Sequence, residues 1–266
     1  MLKCYDRIND RKWRKYMKEK RFESMKQYIL DHNHVSLKEL EDEFNVSMNT
    51  IRRDVNKILN DSRFEKVYGG VSVKEGTLVD FEYRNTENKD EKKAIAKQAA
   101  AFIEPDDLIY IDSGTTTKYI LDYIDENMPL IIITNSLDVV LKAEKLRKAT
   151  IFLIGHIFKK PTRSFVGVEN DELSVKYNIT KAFMAATAVS IDNGLMNSDI
   201  MEYEIKRQVM DKANKKFLLA DETKFDRSTL LTYASLGDID VLITNKQFTE
   251  PYTNYLSEHD IHVLNS

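Results

Sequence analysis

Ser47-Met48-Asn49-Thr50-Ile51-Arg52-Arg53-Asp54-Val55-Asn56-Lys57-Ile58-Leu59-Asn60 carries two chemically distinct faces in one short segment. Ile51, Val55, Ile58 and Leu59 recur at helical spacing and form one apolar stripe. Asn49, Arg52, Arg53 and Asn56 fall at i, i+3, i+4 and i+7 on the opposite side. The pattern predicts a helix from Met48 to Asn60, capped by Ser47. Asn can make a bidentate contact to adenine and Arg to guanine, and Arg also neutralises phosphate. For one helix alone, a merely solvated polar face is an equal alternative, so the flanking sequence has to decide.

Upstream, Ser36-Leu37-Lys38-Glu39 is a capping box: the Ser36 hydroxyl accepts from the Glu39 amide and the Glu39 carboxylate from the Ser36 amide. It opens a helix with Leu37, Leu40 and Phe44 on its inner side, and Asn45-Val46 makes the turn. Downstream, Phe64-Glu65-Lys66-Val67-Tyr68-Gly69-Gly70-Val71 alternates and carries two glycines, which predicts a hairpin. Preceded by a helix bearing Phe22, Met25, Ile29 and Leu30, this is a winged helix-turn-helix over residues 22–75. In such units the N-terminal part of the second helix enters the major groove of double-stranded DNA. Ser36, Ser47, Asn49, Thr50, Arg52, Arg53 and Asn56 are the candidate DNA contacts, with Lys66 and Tyr68 on the wing for phosphate or minor groove. Charge agrees: residues 1–76 hold 17 Lys/Arg against 13 Asp/Glu, and residues 77–266 hold 23 against 30. A basic front and an acidic rear suit a polyanion bound by the front alone.

Residues 76–90 are polar and aperiodic and read as a linker. From 91 to 266 short β-rich runs alternate with amphipathic helices: Leu108–Ile111, Leu130–Thr134, Ile151–Ile154, Ala182–Ala186, Lys216–Ala220 and Val241–Thr244. That alternation predicts an α/β domain with a largely parallel sheet. The first run leads into Asp112-Ser113-Gly114-Thr115-Thr116-Thr117 and then a helix. A Gly/Ser/Thr loop between a strand and a helix offers backbone N–H groups and hydroxyls to an anion. Thr134-Asn135-Ser136, after the next strand, reads as a second loop of this kind. Both belong at the strands' carboxyl ends, where ligands bind in such sheets. Neither has the glycine pattern of a dinucleotide or nucleoside triphosphate site, which leaves a smaller ligand of sugar-phosphate size. Arg163, Asp192, Asp199, Glu202 and Lys224 are further charged candidates, Arg163 and Lys224 foremost.

Ser47–Val55, followed by Val67-Tyr68-Gly69-Gly70, resembles the signature of DeoR-type bacterial regulators. The usual pattern has His before the Gly-Gly pair, where this chain has Tyr68. The resemblance continues through Asp112–Thr117, Thr134–Ser136, Phe165-Val166-Gly167 and Ala220-Asp221 with Lys224-Phe225 to the family's sensor domain. It implies a fold similar to ribose-5-phosphate isomerase and the CoA transferases, a phosphorylated sugar effector, and release from DNA in response. Arg163–Gly167, Lys176–Ile179, Asn197-Ser198-Asp199 with Glu202–Lys206, and Ser228–Ala234 look most like the myo-inositol-catabolism branch, which implies repression and a phosphorylated deoxy-keto sugar acid.

An enzyme with an accessory DNA module is the rival, since such a sheet also supports isomerases and lyases. Against it stands the lack of any residue pair assignable as a poised acid and base, so no catalytic residue is named. The longest aliphatic run, Leu130–Ile133, is far below the ~20 residues of a membrane span. With no apolar N-terminal segment and a single cysteine, Cys4, a cytoplasmic protein is expected. His32 and His34 have no third ligand nearby, so no metal and no cofactor are expected. A dimer or tetramer is expected, because helix-turn-helix proteins bind paired half-sites. Residues 1–21 form an N-terminal extension. Its first sixteen residues are a basic arm on DNA, a solvated tail, or sequence ahead of a natural start at Met17.

Overall fold

The computed structural model describes residues 20–26, 28–29, 32, 34–61, 64–73, 81–168, 173 and 177–266. The chain divides into two compact units, residues 1–79 and 80–266. Most of the N-terminal extension and residues 74–80 of the connection lie outside the described residues. Among the described residues no helix is long and apolar enough to cross a membrane, and no group of three or more His, Cys, Asp or Glu could hold a metal ion.

In the first unit the helix Leu37–Phe44 starts on the Ser36 capping box, with both reciprocal bonds made, and ends at Asn45, whose φ of 47° turns the chain. The helix Met48–Ile58 follows. Ser47 is its N-cap residue, but the hydroxyl meets the Thr50 hydroxyl at 3.1 Å and makes no bond to a helix amide. Strands β1 (His34–Ser36), β2 (Phe64–Val67) and β3 (Gly70–Val73) form an antiparallel sheet in the order β1-β3-β2. The wing is thus braced by a strand ahead of the first capped helix, and Leu37 N donates to Gly69 O in its turn at 2.9 Å. A Cβ on Gly70 would come within 2.3 Å of Val35 O, so this packing requires glycine. Met25, Ile29, Val35, Leu40, Ile51, Val55, Ile58, Phe64 and Val71 are all buried.

One polar residue lies among them. Asp54 is 1% exposed, and its Oδ2 accepts from Arg21 Nη2 at 2.8 Å. Arg21 therefore belongs to the winged unit and not to the extension.

The second unit is built on seven parallel strands: β4 (Leu108–Ile111), β5 (Leu130–Thr134), β6 (Ala149–Leu153), β9 (Lys181–Met184), β12 (Lys215–Leu219), β14 (Val241–Thr244) and β15 (His262–Asn265). Their order is β15-β14-β12-β9-β4-β5-β6. Side chains alternate between two cores, Tyr110, Ala182, Met184 and Leu218 on one face and Ile109, Ile111, Phe183 and Phe217 on the other. Burial on both faces explains the near-continuous apolar runs of the central strands. Helix Ile200–Lys212 packs into the first core through Ile205 and Val209, and helix Lys89–Ala100 into the second through Ile95, Ala96 and Ala99. Small antiparallel pieces, β7 (Ile157–Lys159) with β8 (Ser164–Val166) and β10 (Ala188–Ser190) with β11 (Gly194–Asn197) and β13 (Leu231–Ala234), complete it.

Three details differ from the sequence expectation. Strand β15 is not among the runs read from the sequence. The stretch expected as linker up to residue 90 is helical over Phe81–Thr86. The buried Lys92 ends it by donating to the carbonyls of Arg84 and Glu87. The helix after the Ser/Thr loop is a 3-10 helix, Thr117–Tyr123, too short and tight for much of a helix dipole.

Removing one member of a buried ion pair leaves the other desolvated, at a cost of about 3–5 kcal/mol. Asp54→Ala is therefore expected to destabilise the winged unit by about 3 kcal/mol, measured as a lower urea midpoint with an unchanged slope. An unaltered midpoint would show that the Arg21–Asp54 pair does not hold the helix.

Candidate functional site

The helix Met48–Ile58 turns Asn49, Arg52, Arg53, Asn56 and Lys57 to solvent while Ile51, Asp54, Val55 and Ile58 are buried. The expected polar face is thus one exposed ridge, with Thr50 half-buried beside it. On the wing, Tyr68 is fully exposed at the turn and Lys66 is exposed on β2. Ser36 is occupied by its capping bonds, which orient the first helix.

The second unit carries a cleft at the carboxyl ends of its central strands. The sheet order reverses between β4 and β9, since β5 and β6 lie to one side of β4 while β9, β12, β14 and β15 lie to the other. That reversal opens a crevice outside the strand ends. It is lined by Ser113, Gly114, Thr115 and Thr116 after β4, Ala185, Ala186 and Thr187 after β9, and Leu219 and Lys224 at β12. Thr162, Asn197, Glu202 and Lys206 line it from the same unit, with Phe81 and Arg84 from the helix Phe81–Thr86. The cleft is partly open to solvent.

Asp112 underlies the loop. It is fully buried; Oδ1 accepts from Ser113 N at 2.8 Å, and Oδ2 accepts from Ala185 N at 2.9 Å and from Lys206 Nζ. Thr117 donates its hydroxyl to the carbonyl of Asp112 at 2.7 Å, fixing the loop. A Cβ on Gly114 would lie 2.4 Å from the Ala185 Cβ, so the loop lies flat against the β9 end only with glycine there.

Charge in the cleft is graded. Burial raises the Glu202 carboxyl, but Lys206 and the donors Ser164 and Asn197 outweigh it, and its pKa ends below the usual range. Ser164 Oγ donates to Glu202 at 2.7 Å. A carboxylate held ionised in this way is a poor proton shuttle near neutral pH. At Lys224 burial dominates; Asp221 opposes it, Arg84, Lys92 and Arg227 add to it, and the pKa falls to about 8. Asp221 is itself buried, with Thr223 on Oδ1 and, among the described residues, no hydrogen-bond partner on Oδ2.

Of the residues expected to bind a ligand, the structure gathers Ser113, Gly114, Thr115, Thr116 and Lys224 around the cleft, with Asp112 and Thr117 as its frame. It does not bring the second loop there. Thr134 donates to Ile111 O at 2.7 Å, Asn135 accepts from the Tyr110 hydroxyl at 3.0 Å, and Ser136 caps helix Leu137–Ala143. β5 flanks β4 on the side away from the reversal, so its loop supports the cleft from behind. Arg163 is tied to Asp138 at 2.6 Å, and its neighbour Thr162 faces the cleft instead. Asp199 caps helix Ile200–Lys212, and Asp192 is exposed in the β10–β11 turn. Lys206, Asn197, Thr162 and Arg84 are additions. Lys206 had a visible signal: Glu202, Ile205, Lys206 and Val209 share one helical face, and two charges inside a buried stripe mark a site.

The sequence matches the DeoR-like helix-turn-helix domain over residues 21–77 and the DeoR C terminal sensor domain over residues 87–246. The chain belongs to the DeoR family. It is a DNA-binding regulator of transcription, like the HTH-type transcriptional regulator IolR of Bacillus subtilis (strain 168). The two are 48% identical over 246 residues, 92% of this chain and 98% of that one. The lactose phosphotransferase system repressor of Lactococcus lactis is 29% identical over 91% of this chain and 96% of its own. Among solved structures, the full-length sorbitol operon regulator SorC from Klebsiella pneumoniae aligns over 85% of this chain and 95% of its own, at 12% identity and a TM-score of 0.39. Ribose 5-phosphate isomerase A from Methanocaldococcus jannaschii aligns over 52% and 55%, at 20% identity and a TM-score of 0.38.

In this DeoR-family regulator, Arg52→Ala or Arg53→Ala is expected to weaken specific DNA binding by about 1–3 kcal/mol where the arginine reads a base. A phosphate contact would instead weaken all sequences alike and flatten the salt dependence. No change in either mutant would remove the helix from the interface. Lys224 is charged below pH ~8 and neutral above. Affinity for a phosphorylated ligand is therefore expected to hold up to pH 7 and fall between pH 7 and 9, above the second phosphate ionisation near pH ~6. Calorimetric titration across that range checks this, and Lys224→Gln should abolish the fall.

Proposed function

We propose that this regulator represses a carbohydrate-catabolic operon, that of myo-inositol, and leaves its operator when a phosphorylated sugar intermediate fills the cleft. The observation that supports the effector reading is the polar cleft at the sheet's reversal, which Ser113, Thr115 and Thr116 line together with Lys224 and Arg84. Hydroxyls and cations around one small space suit an anionic, hydroxylated ligand. The ionised, hydrogen-bonded state of Glu202 favours binding over turnover. Operator contact is assigned to Asn49, Thr50, Arg52, Arg53 and Asn56, with Lys66 and Tyr68 on the wing. The pathway rests on the 48% identity to IolR and on the motifs at Arg163–Gly167 and Asn197–Lys206. We further assign the protein to the cytoplasm as a homo-oligomer, dimer or tetramer, on paired half-sites.

A panel of phosphorylated pentoses, hexoses and deoxy-keto sugar acids, with inorganic phosphate as control, tests this by thermal shift and by operator binding. A true effector at ~100 times its dissociation constant should stabilise the protein by about 2.7 kcal/mol and release operator DNA, while remaining chemically unchanged. Gly114→Val should abolish the response and leave operator binding intact. Isomerised or cleaved panel compounds would overturn the reading in favour of an enzyme.

A further inference from the structure

We propose that Thr162, Thr187 and Glu202 form an acceptor wall that reads hydroxyl groups on the ligand's carbon chain, so that the cleft selects a hydroxylated phosphate ester over its deoxy and carbonyl counterparts; this rests on reading the cleft as the effector site.

Thr162, Thr187, Asn197 and Glu202 all line the cleft, and the hydrogen bonds among them fix where their protons go. The Glu202 carboxylate can only accept. The Ser164 hydroxyl, fully buried, therefore donates its one proton to Glu202 Oε1 at 2.7 Å. Thr162 Oγ1 meets Ser164 Oγ at 2.7 Å, and because the Ser164 proton is already spent, Thr162 is the donor. The Thr162 hydroxyl also counts among the donors that hold Glu202 ionised, and in either bond its proton stays within the frame. On the other carboxylate oxygen, Asn197 Nδ2 donates to Glu202 Oε2 at 3.2 Å. That contact fixes which way the amide points and turns Asn197 Oδ1 to Thr187, whose hydroxyl donates to it at 3.1 Å.

The result is a polar surface of one kind. Thr162 and Thr187 have given up their single protons and offer a ligand lone pairs only. The Glu202 carboxylate has about four acceptor sites, of which Ser164 and Asn197 fill one on each oxygen. Beside these acceptors stand the second Asn197 amide hydrogen and the Lys206 hydrogen left after Asp112 Oδ2 and Ala185 O are served. A ligand hydroxyl matches this wall, because it donates to one group and accepts from the next. A carbonyl, carboxylate or phosphate oxygen can only accept, and would set lone pair against lone pair. A methylene would take water from the carboxylate and return no hydrogen bond, and a site built for a hydroxyl rejects the analogue that lacks it. A ligand ammonium is opposed by Lys206, one helical turn from Glu202. The ligand's anionic group is then left to the Ser113–Thr116 loop and Lys224.

The full-length protein is titrated calorimetrically with a phosphorylated deoxy-keto sugar acid, with its counterparts each lacking one chain hydroxyl, and with inorganic phosphate. Loss of a hydroxyl that meets the wall should weaken binding to the wild type about 10- to 100-fold, as for a hydrogen bond to a charged group. Thr162→Val and Thr187→Val keep the side-chain shape and remove the acceptor, and Glu202→Gln removes the charge. In each the sugar acid should bind more weakly, and the penalty for a missing hydroxyl should shrink to about threefold or less, as for groups that no longer interact. Thr162→Ser should restore the wild-type penalty. Equal affinity of the wild type for the sugar acid and all its deoxy counterparts overturns the proposal, and so do wild-type penalties in all three variants. Should Glu202→Gln yield no folded protein, the two threonine variants decide. A wild type that binds inorganic phosphate but not the sugar acid overturns the wall and leaves the cleft an anion site. One that binds neither overturns the effector reading itself, and this proposal falls with it.

Discussion

A single carboxylate with no access to water organises the sensor unit. Asp112 ends β4 and accepts from its own loop at Ser113, from the loop after β9 at Ala185, and from Lys206 on helix Ile200–Lys212. A buried charge is tolerable only when paired and hydrogen-bonded, and here three donors from three elements converge on it. The requirement binds those elements to one another. It fixes the edges of the crevice at the one place where the sheet order reverses, and it holds Lys206 on the cleft wall with its charge already answered.

The remaining charges follow from that arrangement. Because Asp112 engages Lys206, and Glu202 is stabilised by the same lysine and by two neutral donors, the carboxylates are committed to the frame. Lys224, on the cleft wall, has buried Asp221 as its nearby counter-charge. The lining of the cleft combines the hydroxyls of Ser113, Thr115 and Thr116 with the charged side chains of Glu202, Lys206 and Lys224. Of its carboxylates, Glu202 is held below the usual range by Lys206 and by its hydrogen-bond donors, which outweigh its burial.

The winged unit follows the same rule on a smaller scale. Asp54 sits between the exposed Arg53 and the buried Val55, and its pairing with Arg21 ties the helix Met48–Ile58 to the helical residues 20–26. The exposed ridge of Asn49, Arg52, Arg53 and Asn56 is presented from a helix whose rotation is set by Ile51, Val55 and Ile58 underneath. Packing and one buried ion pair together fix which side chains face outward.

What the sequence determined by itself was everything written in a local period. The helical stripe from Ile51 to Ile58, the capping box at Ser36, the alternating wing, the parallel strands and the Ser113–Thr116 loop could all be read from neighbours a few residues apart, because side-chain direction repeats with backbone geometry. What the tertiary structure alone decided was which distant pieces meet. Asp112 and Ala185 are bonded across 73 residues, and nothing local says that β9, and not β5, faces the ligand loop across the crevice. For that reason Thr134, Asn135 and Ser136, the same kind of loop as the first, became support, while Lys206, Asn197 and Thr162 became lining. Phe81 and Arg84 were hidden for a related reason. Their helix is six residues long, too short to show a period, and it is held by Lys92 and Lys118, whose bonds exist only once the chain has folded.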